Sequence, residues 1–224
     1  MTTPKPLTPS PEPPQGHYEV KDTKDRVCLL ADMGLQFRVL YTNTDNETGT
    51  GIFNLPITAN ATGFCGVEHS NLNLTFYDDN FRARFDFSKA NNHFHVSGFY
   101  FSYTELPSIF PGTKSPDGRR LINNNTMNIF STDADKSYMC NADMNITVTK
   151  DVSILVRKVQ LQPFGVKSGQ FSSAQECPED SNKGDNTVQI VIGVAMGVGV
   201  VVVLVSYIVV KKRTVNATSY ADLY

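Results

Sequence analysis

The chain has 224 residues, with 20 Lys plus Arg against 22 Asp plus Glu and a net charge of −2. That balance offers neither a basic patch for nucleic acid nor an acidic tract, and the length leaves room for one ordinary domain plus a linker, able to bury a core without a metal. Four cysteines stand far apart with no Cys-x-x-Cys among them, which argues against zinc and for disulfides.

Residues 1–17 read as a Pro- and Thr-rich hinge or mucin-like linker. Pro4, Pro6, Pro9, Pro11, Pro13 and Pro14 stand among Thr2, Thr3, Thr8 and Ser10, an extended polyproline-like stretch with no means to form a core. Its hydroxyls are candidate O-glycan acceptors. The start lacks the apolar core that translocation machinery reads, so the chain is expected to be incomplete there. The rival reading is a tail-anchored protein with a cytosolic N-terminal domain.

From residue 18 to 180 short alternating runs predict an all-β domain: Phe37, Val39 and Tyr41; Leu72, Leu74 and Phe76; Phe81, Ala83 and Phe85; Met144, Ile146 and Val148; Val152, Ile154 and Val156. The apolar parity changes around Gly98 and again around Arg157 and Lys158, which predicts two β-bulges. Cys28 and Cys65 are 37 positions apart, as are Cys140 and Cys177. The matched spacing favours consecutive pairing, each loop contributing about 3.8 kcal/mol by chain entropy.

Five sequons precede the apolar C-terminal run, at Asn46, Asn60, Asn73, Asn124 and Asn145. Asn73 and Asn145 sit between apolar neighbours, so alternation turns them to solvent; Asn46, Asn60 and Asn124 fall in stretches that read as loops. Chemistry is otherwise sparse. No Gly-x-Ser-x-Gly, phosphate-binding glycine loop or His-Glu-x-x-His occurs. His93 and His95 would share a strand face and could bind a metal or sense pH, but Phe94 and Val96 take the buried parity and leave them on a solvated face. Arg82, Arg84 and Asp86 read as an exposed strand face, and Asp78-Asp79 as a turn. No catalytic residue, metal site or cofactor is expected.

Residues 188–210 are an apolar run of 23 without a charge, a helix of about 34 Å that crosses a bilayer core of about 30 Å. Lys211, Lys212 and Arg213 follow it, which puts residues 211–224 in the cytosol and the domain outside, a single-pass type I topology. Asn216 should then carry no glycan. Gly193 and Gly197 form a Gly-x-x-x-Gly that permits self-association of the span or contact with another membrane protein. Tyr220-Ala-Asp-Leu223 matches Tyr-x-x-bulky, which clathrin adaptor complexes read as an extended strand.

These features resemble the lysosome-associated membrane glycoproteins. The resemblance runs from about Arg26 to the C-terminus: four cysteines with this spacing, Leu29-Leu-Ala-Asp-Met-Gly-Leu-Gln36, Leu161-Gln-Pro-Phe164, Gly169-Gln-Phe-Ser172, Glu176-Cys177, Asp180 and Asn182. It implies a β-prism of antiparallel sheets with two disulfides, in a glycan-coated protein of lysosomal and late endosomal membranes that passes transiently through the plasma membrane and serves lysosome integrity, autophagy and protein localisation. The family's tails commonly place Gly before the tyrosine and end at the bulky residue; here Ser219 precedes Tyr220 and Tyr224 follows Leu223. Two other readings remain open, a trafficking companion for a membrane-protein client and a lumenal module with an apolar pocket for sterol or fatty acid.

Overall fold

The computed structural model describes residues 12–181. The expected span, Gly193, Gly197, Tyr220 and Leu223 lie outside the described residues, within which no helix is long and apolar enough to cross a membrane.

Thirteen strands follow in chain order. The first seven are β1 (Gly16–Lys21), β2 (Val27–Thr42), β3 (Thr48–Asn54), β4 (Asn60–Cys65), β5 (His69–Phe76), β6 (Phe81–Ala90) and β7 (His93–Thr104). The rest are β8 (Arg119–Asn124), β9 (Ile129–Asp133), β10 (Ser137–Cys140), β11 (Met144–Thr149), β12 (Val152–Gln162) and β13 (Ala174–Glu176). A single helical turn, α1 (Pro178–Ser181), closes the described chain, where no helix was expected outside the span.

Alternation along β2 sets the pattern: Leu29, Ala31, Met33, Leu35, Phe37, Val39 and Tyr41 are all buried. The first sheet runs β1-β2-β12-β10-β13, with β3 also on β2 and β11 also on β12; the second runs β4-β5-β6-β7-β8, with β9 also on β7. All pairs are antiparallel except β10 with β13, which is parallel. This departs from the expected purely antiparallel sheets. The Cys140–Cys177 bond and the Cys177 amide donating to the Met139 carbonyl at 2.8 Å draw the returning chain alongside β10 in the same direction.

Both sheets divide at a bulge. β1 takes the first half of β2 and β3 the second, while β10 takes the last part of β12 and β11 the first. At the joint the register jumps from Arg157↔Gly34 to Gln160↔Asp32, with Lys158 at φ 45°. In the second sheet β9 and β8 share β7 in the same way, and Asp86↔Gly98 jumps to Phe87↔Val96, leaving Ser97 as the extra residue. The parity shifts in the sequence fall at these two bulges. An extra residue bends its strand and raises local twist, so each long strand can serve two differently inclined half-sheets.

Gly34, at the first joint, has no room for a side chain: a Cβ there would stand 2.8 Å from the Pro13 carbonyl oxygen. The end of the leader is accordingly part of the domain. Pro13 is buried, Gln15 donates to the Lys158 carbonyl at 2.9 Å, Glu12 pairs with Arg157 at 3.0 Å, and β1 begins two residues ahead of the expected boundary at 18.

One continuous cluster fills the space between the sheets. Phe37 stacks on Phe53, Phe76 and Phe101 at 5.3, 5.8 and 4.8 Å between centroids, each contact adding about 0.5–1.5 kcal/mol beyond burial. The segment after β7 turns back into this cluster. Phe110 packs edge-on against Tyr41 at 5.3 Å, and Gly51 leaves the space its ring occupies.

Gln162, fully buried at the end of β12, fixes the way out of the core. Its Oε1 accepts from the Ser172 amide at 2.6 Å, and its Nε2 donates to the Ser172 hydroxyl at 2.9 Å and the Phe164 carbonyl at 3.3 Å. Replacing Gln162 by Ala leaves those groups without partners in a site closed to water, so unfolding in urea should show a loss of about 2–3 kcal/mol. A loss below about 0.5 kcal/mol would count against the clasp.

Candidate functional site

Two cystines define the ends of the domain. Cys28, at the start of β2, is bonded to Cys65, at the end of β4, so this bridge joins the two sheets, with a Cα–Cα distance of 6.2 Å. Cys140 is bonded to Cys177 at 5.1 Å, and both are buried. Glu179 lies close to that second bridge, but sulfurs committed to a disulfide do not ligate a metal.

The five sequon asparagines are spread over the surface. Asn46 is exposed in the β2–β3 turn, with φ 64° and its side-chain oxygen accepting from Lys114 Nζ. Asn145 is exposed on β11, an edge strand. Asn60 and Asn124 are not in loops, as the sequence suggested: Asn60 opens β4 and Asn124 closes β8. Their polar surroundings still pair because β5 and β7 supply the apolar faces against which the edges lie. Asn124 is half-buried, its nitrogen donating to the Val148 carbonyl at 3.0 Å and its oxygen accepting from the Thr126 amide and hydroxyl, each at 3.0 Å. A glycosylated amide keeps one hydrogen, so the Val148 bond and a sugar are compatible.

Asn60 and Asn73 lie on paired strands in an unusual relation. Asn60 is opposite Thr75 and Asn73 opposite Thr62, so each acceptor faces the hydroxyl residue of the other sequon across the β4–β5 ladder. Register partners share a face, so all four side chains project from the outside of the second sheet.

Glu105, only 4% exposed, accepts from Arg120 Nε at 2.6 Å and from the Thr113 hydroxyl. Burial, with the Glu105 charge adding, pushes the Tyr103 hydroxyl up to about 12. His93 lies 3.1 Å from Asp133, His95 is half-buried on the same strand, and Arg84 donates to Asp86 at 2.6 Å. Tyr77, Asp78 and Asp79 take left-handed backbone angles in the β5–β6 turn. Sequence reasoning missed the buried carboxylate of Glu105, because its partners come from a non-local loop and strand with no local pattern to announce them.

His17 bridges β1 and β2: Nδ1 is 2.5 Å from Asp32 and Nε2 is 3.1 Å from Glu19. Partial burial opposes protonation, but the two carboxylates outweigh it and raise the imidazole above its ordinary 6.5. Asp22, hydrogen-bonded by Arg26, is held at about 2.

An apolar cleft of about 800 Å³ lies beside the Cys28–Cys65 bridge, with Phe164, Val166 and Val67 among its walls and Lys89 5.2 Å above the Phe164 ring. It opens to the surface. The space between the sheets is filled by the aromatic cluster.

The family whose model matches is described as lysosome-associated membrane glycoprotein 2-like, luminal domains, and it covers residues 2–178. Lysosome-associated membrane glycoprotein 1 of Mus musculus is 31% identical over 219 residues, 94% of this chain and 52% of that protein. The Homo sapiens protein of the same name is 33% identical over 199 residues, 88% and 45%, and lysosome-associated membrane glycoprotein 2 of Cricetulus griseus is 31% identical over 217 residues, 95% and 48%. The chain thus spans about half the length of the curated relatives it matches. Among solved structures, the membrane-proximal domain of mouse lysosome-associated membrane protein 1 superimposes with a TM-score of 0.67 at 30% identity, covering 75% of this chain and 99% of that one. Human lysosome-associated membrane protein 3, at 23% identity and a TM-score of 0.61 over 73% of this chain and 99% of that one, shares the fold.

The His17 bridge makes stability depend on pH in a stated direction. With the folded value raised, its contribution is fully present below pH 6.5 and is lost as pH rises through that raised value. Thermal midpoints should therefore gain on acidification from pH 8 to 5, and the His17→Gln variant should lose part of that gain. A pH profile identical in both proteins would remove His17 from the account. Asp22 does not offset the effect, since its contribution is present above 3.8 and is lost only as pH falls through about 2.

Proposed function

The chain belongs to the lysosome-associated membrane glycoprotein family, and from that premise we propose that it is a non-enzymatic structural glycoprotein of the lysosomal and late endosomal membrane. The observation that carries the reading is the two-sheet, two-cystine domain, matched across 99% of the membrane-proximal domain of a family member. The apolar run 188–210, following that domain in the sequence and followed by Lys211, Lys212 and Arg213, supports a type I anchor.

In this reading Asn46, Asn60, Asn73, Asn124 and Asn145 carry glycans that shield the domain from lumenal hydrolases. Tyr220 and Leu223 are the adaptor signal that routes the protein, with transient passage through the plasma membrane. Integrity of the organelle membrane, autophagic fusion and retention of other proteins at the lysosome are the roles that such a shielded, anchored domain would serve. Gly193 and Gly197 favour a second reading, in which the span binds another copy or a membrane-protein client and carries it to the organelle.

The Tyr220→Ala variant should accumulate at the cell surface, several-fold over wild type by surface biotinylation, with its folding unchanged. Undiminished lysosomal delivery would refute the sorting role. Complete N-glycosidase treatment of the protein from mammalian cells should release glycans from the five lumenal sequons and none from Asn216. A glycan on Asn216 would invert the proposed topology.

A further inference from the structure

Phe64 is a large aromatic with 59% of its surface exposed, near the end of β4 and paired with Asn71 on β5. It projects from the outside of the second sheet in line with Asn60 and Thr62. Its register partner is Asn71, and Asn73 is the partner of Thr62, so Phe64 and Asn73 are diagonal neighbours on the β4–β5 ladder. That relation places them about 7–8 Å apart, within reach of an aromatic side chain.

The surface continues as a groove. Asn71 pairs with Asp86 and Asn73 with Arg84 on β6, and Arg84 in turn pairs with Tyr100 on β7. Phe64 and Tyr100 wall a groove of about 420 Å³ floored by Asn71, Asp86 and Ser88. Arg84 stays fixed, its guanidinium 5.0 Å from the Tyr100 ring centroid and its Nε donating to Asp86. Asn73 Nδ2, the atom on which an N-glycan is built, donates to Asn71 Oδ1 at 3.2 Å, which places that nitrogen beside a residue lining this groove, and the one hydrogen a glycosylated amide keeps can hold the same bond.

Aromatic walls above a floor of amide, carboxylate and hydroxyl groups suit a pyranose, whose ring presents an apolar C–H face and a hydrogen-bonding rim. We propose that the groove seats the chitobiose core of the glycan on Asn73, with the first N-acetylglucosamine packing its C–H face on Phe64 and its polar rim on Asn71 and Asp86. The inference rests on the reading that Asn73 is glycosylated. Covalent tethering supplies the ligand at a millimolar effective concentration, so contacts too weak to hold a free sugar suffice. The seated sugar covers Phe64 and holds the glycan flat over the sheet.

The test is a double-mutant cycle on the full chain produced in mammalian cells, with occupancy read by glycopeptide mass spectrometry. Phe64→Ser should lower the thermal midpoint by about 2 °C more when Asn73 carries its glycan than in the Asn73→Gln background. Endoglycosidase trimming to a single N-acetylglucosamine should leave that coupling in place, and the acetamide methyl of that sugar should show an upfield ring-current shift that Phe64→Ser abolishes. Asn60→Gln is the control, because Asn60 stands four residues, about 13 Å, along the strand from Phe64 and should give additive effects. An occupied Asn73 with equal Phe64→Ser losses in both backgrounds would overturn the docking alone, as would coupling to Asn60 in its place. An unoccupied Asn73 would overturn the glycan reading at that site and the docking with it.

Discussion

The pairing of β2 with β12 is the constraint on which the rest of the domain depends. A strand of 16 residues against one of 11 is long enough for accumulated twist to carry its ends out of a common plane. The extra residue at Lys158 and Val159 concentrates that change at one place, opposite Met33 and Gly34. Each half then recruits its own neighbours, β1 and β10 on one side of the joint and β3 and β11 on the other. The absent side chain of Gly34 lets the Pro13 backbone lie over the joint, which is why the polyproline leader ends as part of the fold.

The two ends of this pair also set the cystines. β2 opens at Cys28, which reaches across to the second sheet, and β12 closes at Gln162, whose buried amide directs the following loop towards Ser172 and on to Cys177. A cross-link stabilises mainly by narrowing the unfolded ensemble, but it does so without strain only where the native chain already brings its ends together. Here the hydrogen-bond clasp does that positioning for the second bridge, while the first joins the start of β2 to the end of β4, which the β4–β5 ladder holds in the other sheet. The Leu161-Gln-Pro-Phe164 and Gly169-Gln-Phe-Ser172 runs, which served in the sequence only as marks of resemblance, thereby acquire a physical role: Gln162 and Ser172 are the two halves of the clasp.

Most of the strands were legible because one face of each is buried, and burial imposes period two on the residues that meet it. Phe81, Ala83 and Phe85, or Val152, Ile154 and Val156, could be placed by that rule, and the parity breaks at Gly98 and Lys158 marked the bulges. What escaped lacks a local period. β4, with Asn60, and β8, with Asn124, are edge strands whose pairing is dictated by a neighbour. The segment from Glu105 to Gly118 contributes Ile109 and Phe110 to the core as a folded loop, and its carboxylate at Glu105 is satisfied from Thr113 and Arg120. The parallel β10–β13 contact depends on a disulfide, a constraint that spacing suggested but whose effect on strand direction it could not convey.

The interleaved sequons of β4 and β5 also order events during maturation, if both asparagines are modified. In the folded domain Asn73 is held between Thr62 and Arg84 on two flanking strands, and Asn60 faces Thr75. A transferase needs the acceptor amide and the hydroxyl of one sequon together in its own site, which the closed ladder does not release without breaking backbone hydrogen bonds along the strand. Sugar addition at these positions therefore has to precede closure of the β4–β5 hairpin. Cys65 ends β4 and is paired with Ser70 by that same ladder, so the hairpin and the bond to Cys28 that joins the sheets fix the same strand end.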